Sequence, residues 1–152
     1  MIQIALFQPE IPQNTGTLLR LGACMGVSVH IIEPTGFVLS DKRMRRSGMD
    51  YLDLASLHRH ENWEQFNEEM YGQRLVYLTP SALTSFLDFQ FDPQDILLMG
   101  SESSGIPEEI TKTLKHQVKI PMLPGRRSLN IAIACSMVLT EALRQTASYP
   151  KI

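Results

Sequence analysis

Short apolar runs alternate with amphipathic stretches along the whole chain. Ile2 to Phe7, Val27 to Glu33, Arg74 to Thr79, Asp95 to Met99 and Val118 to Met122 are short and dominated by aliphatic residues. Pro, Gly or Asn residues punctuate the segments between them, as around buried strands. Leu54 to His58 reads as one more short strand. Between these runs the period changes to that of a helix. Asn14-Thr15 can cap a helix running to about Met25, with Leu18, Gly22 and Met25 on its packed face and Gly26 as terminator. Asn62 and Gln65 have capping-box spacing, and Trp63, Phe66 and Met70 continue as one helical face. Pro107 followed by Glu108 and Glu109 starts a helix to about Leu114. Ser128 caps a final helix ending near Thr146. Leu39 to Tyr51 reads as a basic loop with room for a short helix, and residues 80–94 as a helical turn and a loop.

About six strands alternating with helices predict an α/β fold, a mostly parallel sheet flanked by helices. A chain of 152 residues suits one domain around one core. The final helix is apolar on nearly every face from Leu129 to Leu139, so it must be covered all round. Its cover is either a second copy of the chain or another element of the same one, and a homodimer is the expectation adopted here. No run approaches membrane-span length and no signal peptide is evident, so a cytoplasmic protein without membrane association is expected. Cys24 and Cys135 sit in apolar helical contexts and read as buried, reduced thiols. His30, His58, His60 and His116 lack metal-ligand companions; they read as surface residues, with no metal site.

Net charge is −2, which excludes a chain that coats nucleic acid by bulk charge. Lys42, Arg43, Arg45 and Arg46, with Arg126 and Arg127, nevertheless hold six of the 14 basic residues in two patches, which points to a polyanionic partner. Two polar glycine-bearing loops follow strands: Gly100-Ser101-Glu102-Ser103-Ser104-Gly105, and Pro124-Gly125-Arg126-Arg127-Ser128-Leu129-Asn130. In parallel sheets ligands gather on such loops at the carboxyl ends of strands, so one shared pocket is expected. There is no Walker A pattern, no dinucleotide-binding glycine motif and no nucleophile elbow with a histidine to serve it.

Three segments, in order, resemble the SPOUT class of RNA methyltransferases: Pro9 to Gly16 with Leu18-Leu19-Arg20, Met99 to Pro107, and Ile120-Pro121-Met122 with Ser128-Leu129-Asn130. The likeness runs from Ile2 to about Gln145. Ile31 to Phe37, Asp41-Lys42-Arg43 and Gly48 to Tyr51 resemble the minimal branch that methylates the ribose 2′-hydroxyl of the tRNA wobble nucleotide, cytidine or uridine. The resemblance implies a single domain over residues 1–152 with a deep C-terminal trefoil knot, roughly residues 75–147. It implies S-adenosyl-L-methionine held by Leu78, Thr79, Met99, Gly100, Ser101, Glu102, Ser103, Gly105, Ile120, Met122, Ser128 and Leu129. Arg20, Asn14, Glu102, Ser128 and Asn130 are the catalytic candidates it implies. Lys42, Arg43, Arg45, Arg46, Arg126 and Arg127 would grip the anticodon stem-loop of tRNA. A dimer would bring the Asn14–Arg20 region near the partner's pocket.

Three other readings stay open from the residues: a ribosomal RNA 2′-O-methyltransferase, a non-catalytic RNA-binding module of the same fold, and a nucleotide-binding α/β protein or hydrolase unrelated to RNA. The nucleotide methylated, cofactor binding and salt-dependent tRNA binding separate them.

Overall fold

The computed structural model describes residues 1–40, 42–43 and 56–152. In chain order the elements are β1 (Gln3–Phe7), α1 (Pro12–Met25), β2 (Val29–Ile32), β3 (Leu57–His60), α2 (Trp63–Glu69), β4 (Leu75–Leu78), β5 (Thr84–Ser85), β6 (Ile96–Met99), α3 (Glu108–Thr111), β7 (His116–Lys119) and α4 (Ile131–Gln145). Among the described residues the strands form one seven-stranded sheet in the order β3-β2-β1-β6-β4-β7-β5. Every pairing between these strands is parallel. β6 enters between β1 and β4, and β7 between β4 and β5, so later strands insert beside earlier ones.

Both faces of the sheet are covered, which is why its central strands read as unbroken apolar runs. Alternate side chains serve the two faces. Ile4, Leu6, Leu97 and Met99 pack with α1 and α4 through Leu18, Leu19, Cys135 and Leu139. Ala5, Phe7, Ile96 and Leu98 pack on the other side with Phe66 of α2 and with Tyr77, Ile106 and Leu114. Gly22 lets α1 lie against the sheet: a Cβ there would stand 2.7 Å from both Val27 O and Val29 Cγ2.

Several expectations shift. α1 begins at Pro12, so Asn14 lies within its first turn and is not its cap; proline at a first helical position loses no internal hydrogen bond. The final helix starts at Ile131, with Asn130 instead of Ser128 as its cap. Cys24 is exposed while Cys135 is buried, because Cys24 follows the phase of Thr17 and Arg20 on the solvent side of α1. β3 lies at Leu57–His60 instead of residues 54–58, of which residues 54 and 55 fall outside the described part. As an edge strand, β3 is placed by backbone pairing with β2 and needs no apolar run. α3 stops at Thr111, and turn bonds from Thr113 to Ile110 and Leu114 to Thr111 complete the segment. β5, within the expected loop, is a two-residue strand held only by pairing to β7. His30 and His60 are not surface residues: they are 2% and 1% exposed beneath α2, and only His58 of that trio is exposed.

Candidate functional site

The strands β4, β6 and β7 end on the same side of the sheet, and a cleft of about 600 Å³ opens beyond their carboxyl ends. That volume suits a small-molecule ligand. Leu78 and Thr79 line it from the end of β4, Met99, Gly100, Ser101, Glu102 and Gly105 from β6 and its loop, and Ile120, Met122, Ser128 and Leu129 from the segment after β7. Asn14 and Asn130 complete the wall, with Asn14 lining the cleft of its own chain. Of the residues expected at the cofactor, Ser103 alone does not line the cleft. Arg20 is exposed on α1 and also lies outside the lining, as do the exposed Lys42, Arg43, Arg126 and Arg127. Arg45 and Arg46 fall outside the described residues.

The loop after β6 is closed on itself. Ser101 and Gly105 exchange both backbone hydrogen bonds, at 3.1 and 2.9 Å. The Ser101 hydroxyl lies 2.9 Å from that of Ser104. So tight a loop needs glycine at both ends: a Cβ on Gly100 would stand 2.7 Å from the Gly105 Cα, and Gly105 has φ +66°.

One directed chain of hydrogen bonds joins the three segments that the sequence sets apart. The Glu102 carboxylate accepts from the backbone N–H of Glu10 at 2.7 Å, from that of Ile11 at 3.2 Å and from Asn14 Nδ2 at 3.4 Å. Asn14 Oδ1 accepts from Asn130 Nδ2 at 2.9 Å. Asn130 Oδ1 in turn accepts the N–H groups of Ala132 and Ile133, at 2.9 and 3.4 Å, as the cap of α4. A carboxylate at one end and helix N–H donors at the other leave a single consistent orientation for both amides. Glu102 also takes the place of a missing local cap at α1, whose own cap residue is Ile11, and its negative charge suits that helix end.

Sequence reasoning misses several lining residues, among them Tyr77, Ser81 and Gln117. A Cβ on Gly105 would stand 3.0 Å from the Tyr77 hydroxyl, so this ring backs the glycine loop. Gln117 Nε2 donates to the carbonyls of Thr111 and Leu114, tying β7 to the turn after α3. Period-two alternation along β4 and β7 puts Tyr77 and Gln117 on one face, but no local signal marks that face as a cleft wall. Among the described residues no group of His, Cys, Asp or Glu could hold a metal ion, and no helix is long and apolar enough to cross a membrane.

An open parallel sheet with its cleft at the strand ends defines an α/β ligand-binding architecture, and comparison with known proteins narrows it. The chain belongs to the SpoU rRNA Methylase family, whose sequence profile matches residues 1–140. It is 51% identical, over 98% of its length and 94% of the relative's, to a protein of Beijerinckia indica subsp. indica named tRNA (cytidine(34)-2′-O)-methyltransferase. A protein of the same name from Escherichia coli (strain K12) is 41% identical over 99% of this chain and 96% of its own. Among solved structures, one described as giving structural insights into the 2-OH methylation of C/U34 on tRNA superposes with TM-score 0.88 and 38% identity, covering 95% of each chain. An AdoMet-bound rRNA methyltransferase from Sinorhizobium meliloti superposes at TM-score 0.80 with 26% identity, over 94% of this chain and 56% of its own.

Proposed function

We propose that this protein is an S-adenosyl-L-methionine-dependent tRNA 2′-O-methyltransferase acting on the ribose of the wobble nucleotide, cytidine or uridine 34. The observation that carries the reading is the Glu102–Asn14–Asn130 chain, which ties the three resembling segments into one cleft wall. Names of relatives matched over nearly the full length of both chains point to the same substrate. The cleft suits the cofactor: Leu78, Met99, Ile120 and Leu129 offer apolar contact, Thr79, Ser101 and Ser128 offer hydroxyls, and Gly100 and Gly105 permit the tight loop that shapes one wall.

The cofactor, when bound, supplies an already activated sulfonium methyl group. The protein's part is alignment and charge. Asn14, Glu102 and Asn130 keep the cleft wall rigid, and Ser128 presents a hydroxyl beside it. The ribose hydroxyl must give up its proton, and Arg20 is not the base, since a guanidinium offers donors and no acceptor. A neighbouring phosphate accepts the proton, and Arg20 orients that phosphate and stabilises the developing negative charge. Arg20 lies outside the lining of its own cleft, which supports placing it at a partner's. A homodimer is supported by Ile133 and Met137 of α4, 54% and 39% exposed in the single chain. The remaining parts of the reading are a single knotted domain, a cytoplasmic location, and a grip on the anticodon stem-loop by Lys42, Arg43, Arg45, Arg46, Arg126 and Arg127. Phosphate contacts of that kind weaken with salt.

Radiolabelled S-adenosylmethionine with unmodified bulk tRNA and, in parallel, ribosomal RNA, using wild type and Arg20→Ala, tests the reading. Label is expected in the ribose at position 34, and is expected to be lost in the variant. Absence of both methyl transfer and cofactor binding refutes it. Label in ribosomal RNA alone redirects it to that substrate.

A further inference from the structure

Glu10 lies in the Pro9 to Gly16 segment but is not among the catalytic, cofactor or RNA-binding candidates, and its side chain reaches a loop 93 residues away. Its Oε1 accepts from the Ser103 backbone N–H at 3.0 Å and from the Ser103 hydroxyl at 2.7 Å, with Oε2 2.9 Å from the same hydroxyl. The exchange is reciprocal, because the Glu10 backbone N–H donates to Glu102 Oε2 at 2.7 Å. Two glutamates more than ninety positions apart therefore each bind the other's loop.

Glu10 is itself held from behind. The Pro9 carbonyl accepts from Gly36 N–H at 2.9 Å, and a Cβ on Gly36 would stand 2.9 Å from the Glu10 Cα. Gln8, a non-glycine residue at φ +45°, turns the chain out of β1 while its N–H donates to Ile32 O at 2.9 Å. A non-glycine residue in that region persists where its surroundings over-determine it. The Glu10 carboxylate is thus a fixed post, and Ser103 is what it grips. Ser103 does not line the cleft, whereas its neighbours Glu102 and Ser104 both do. The hydrogen bonds from Ser103 hold the Glu10 carboxyl below its ordinary range, in keeping with a charge-assisted contact.

We infer that Glu10 is a positioning residue for the cofactor cleft: by gripping Ser103 from outside, it sets the 101–105 loop so that Glu102 and Ser104 face the ligand. This role rests on the methyltransferase reading above. A clasp of this kind fixes the binding wall and leaves the reacting atoms untouched, so its loss falls on cofactor affinity before turnover.

Calorimetric titration of the full chain with S-adenosylhomocysteine, RNA absent, reads it directly. Glu10→Ala is expected to weaken binding about tenfold and to raise KM for S-adenosylmethionine in parallel, with kcat at saturation little changed. Ser103→Ala keeps the backbone bond and is expected to lose less. In the Glu10→Ala background, Ser103→Ala is expected to add almost nothing, since both act through one contact. Glu10→Gln, whose amide oxygen can still accept from Ser103, should recover part of the affinity. Wild-type binding matched by Glu10→Ala, or losses that add in full, overturns the role of Glu10 alone. Wild type that fails to bind S-adenosylhomocysteine overturns the cofactor reading and this role with it. Should Glu10→Ala not fold, Ser103→Ala carries the test, because it alters only an exposed loop hydroxyl.

Discussion

At the scale of single residues, the buried histidines show what a sheet can conceal. Gln3 Oε1 lies 2.8 Å from His30 Nε2, and His30 Nδ1 lies 2.9 Å from His60 Nε2. His60 Nδ1 is 3.0 Å from Glu69 Oε2, near enough for charge attraction but outside good hydrogen-bond geometry. His58 stacks on His30 with ring centroids 4.9 Å apart, and Phe66 closes the cluster edge-on. Burial, and then the neighbouring His58 and His60, push His30 down to about 4. Burial also lowers His60, against the opposing pull of Glu69. The unfolded chain, with histidines near their ordinary 6.5, binds more protons than the folded one between these values. Stability is therefore full above about pH 6.5 and is lost as pH falls toward 4, with His30 contributing on the order of 3 kcal/mol. Carboxyls held low, such as Glu141 at about 2 beside Arg144, act only below their ordinary 4.5. Urea unfolding at pH 7 and pH 5 is expected to show a lower midpoint at pH 5. Equal midpoints would mean that the cluster is not buried as described.

At the scale of elements, the start of α1 and the start of α4 depend on each other through Asn130. Its side-chain oxygen caps α4 while its nitrogen reaches Asn14. Asn130→Asp separates the two duties. A carboxylate caps a helix as well as an amide and suits its positive end, so thermal stability should change by less than about 1 kcal/mol. The same substitution faces Asn14 Oδ1 with a second acceptor. Turning the Asn14 amide to satisfy it would set an oxygen against Glu102. Cofactor binding is expected to fall about tenfold or more while the melting temperature holds. A variant that melts early yet binds normally would assign Asn130 to capping alone.

At the scale of the whole molecule, the last helix is only half accounted for by its own chain. Ala132, Cys135, Val138, Leu139, Ala142 and Leu143 are buried against α1 and the sheet, whereas Ile133 and Met137 stand one turn apart on the open side. The proposed dimer covers that stripe. Ile133→Glu with Met137→Glu is expected to convert a dimer to a monomer by analytical ultracentrifugation and to abolish methyl transfer. Each chain should keep its fold, because neither position belongs to the core. A wild-type monomer would remove the dimer and, with it, the reason for a trans-acting Arg20.

Much of this architecture is legible in the sequence. Period-two and 3.6-residue patterns are local, so β1, β2, β4, β6 and the two long helices stand close to where the apolar positions put them. The segments around Asn14, Glu102 and Asn130 were also visible as motifs. What a linear pattern cannot carry is contact between distant positions. The amides of Asn14 and Asn130 are 116 residues apart, and Glu10 meets Ser103 across 93; nothing near either residue announces the other. The same reason explains β5, which exists only because β7 pairs with it. It also explains His30, a polar residue buried by a helix more than thirty positions away, and the change of cap from Ser128 to Asn130, which the link to Asn14 favours. Local periodicity sets the elements, because each element's hydrophobic face is written in consecutive residues. Long-range packing sets the clasp, the cap and the buried polar chain, because their free energy appears only once separate elements meet.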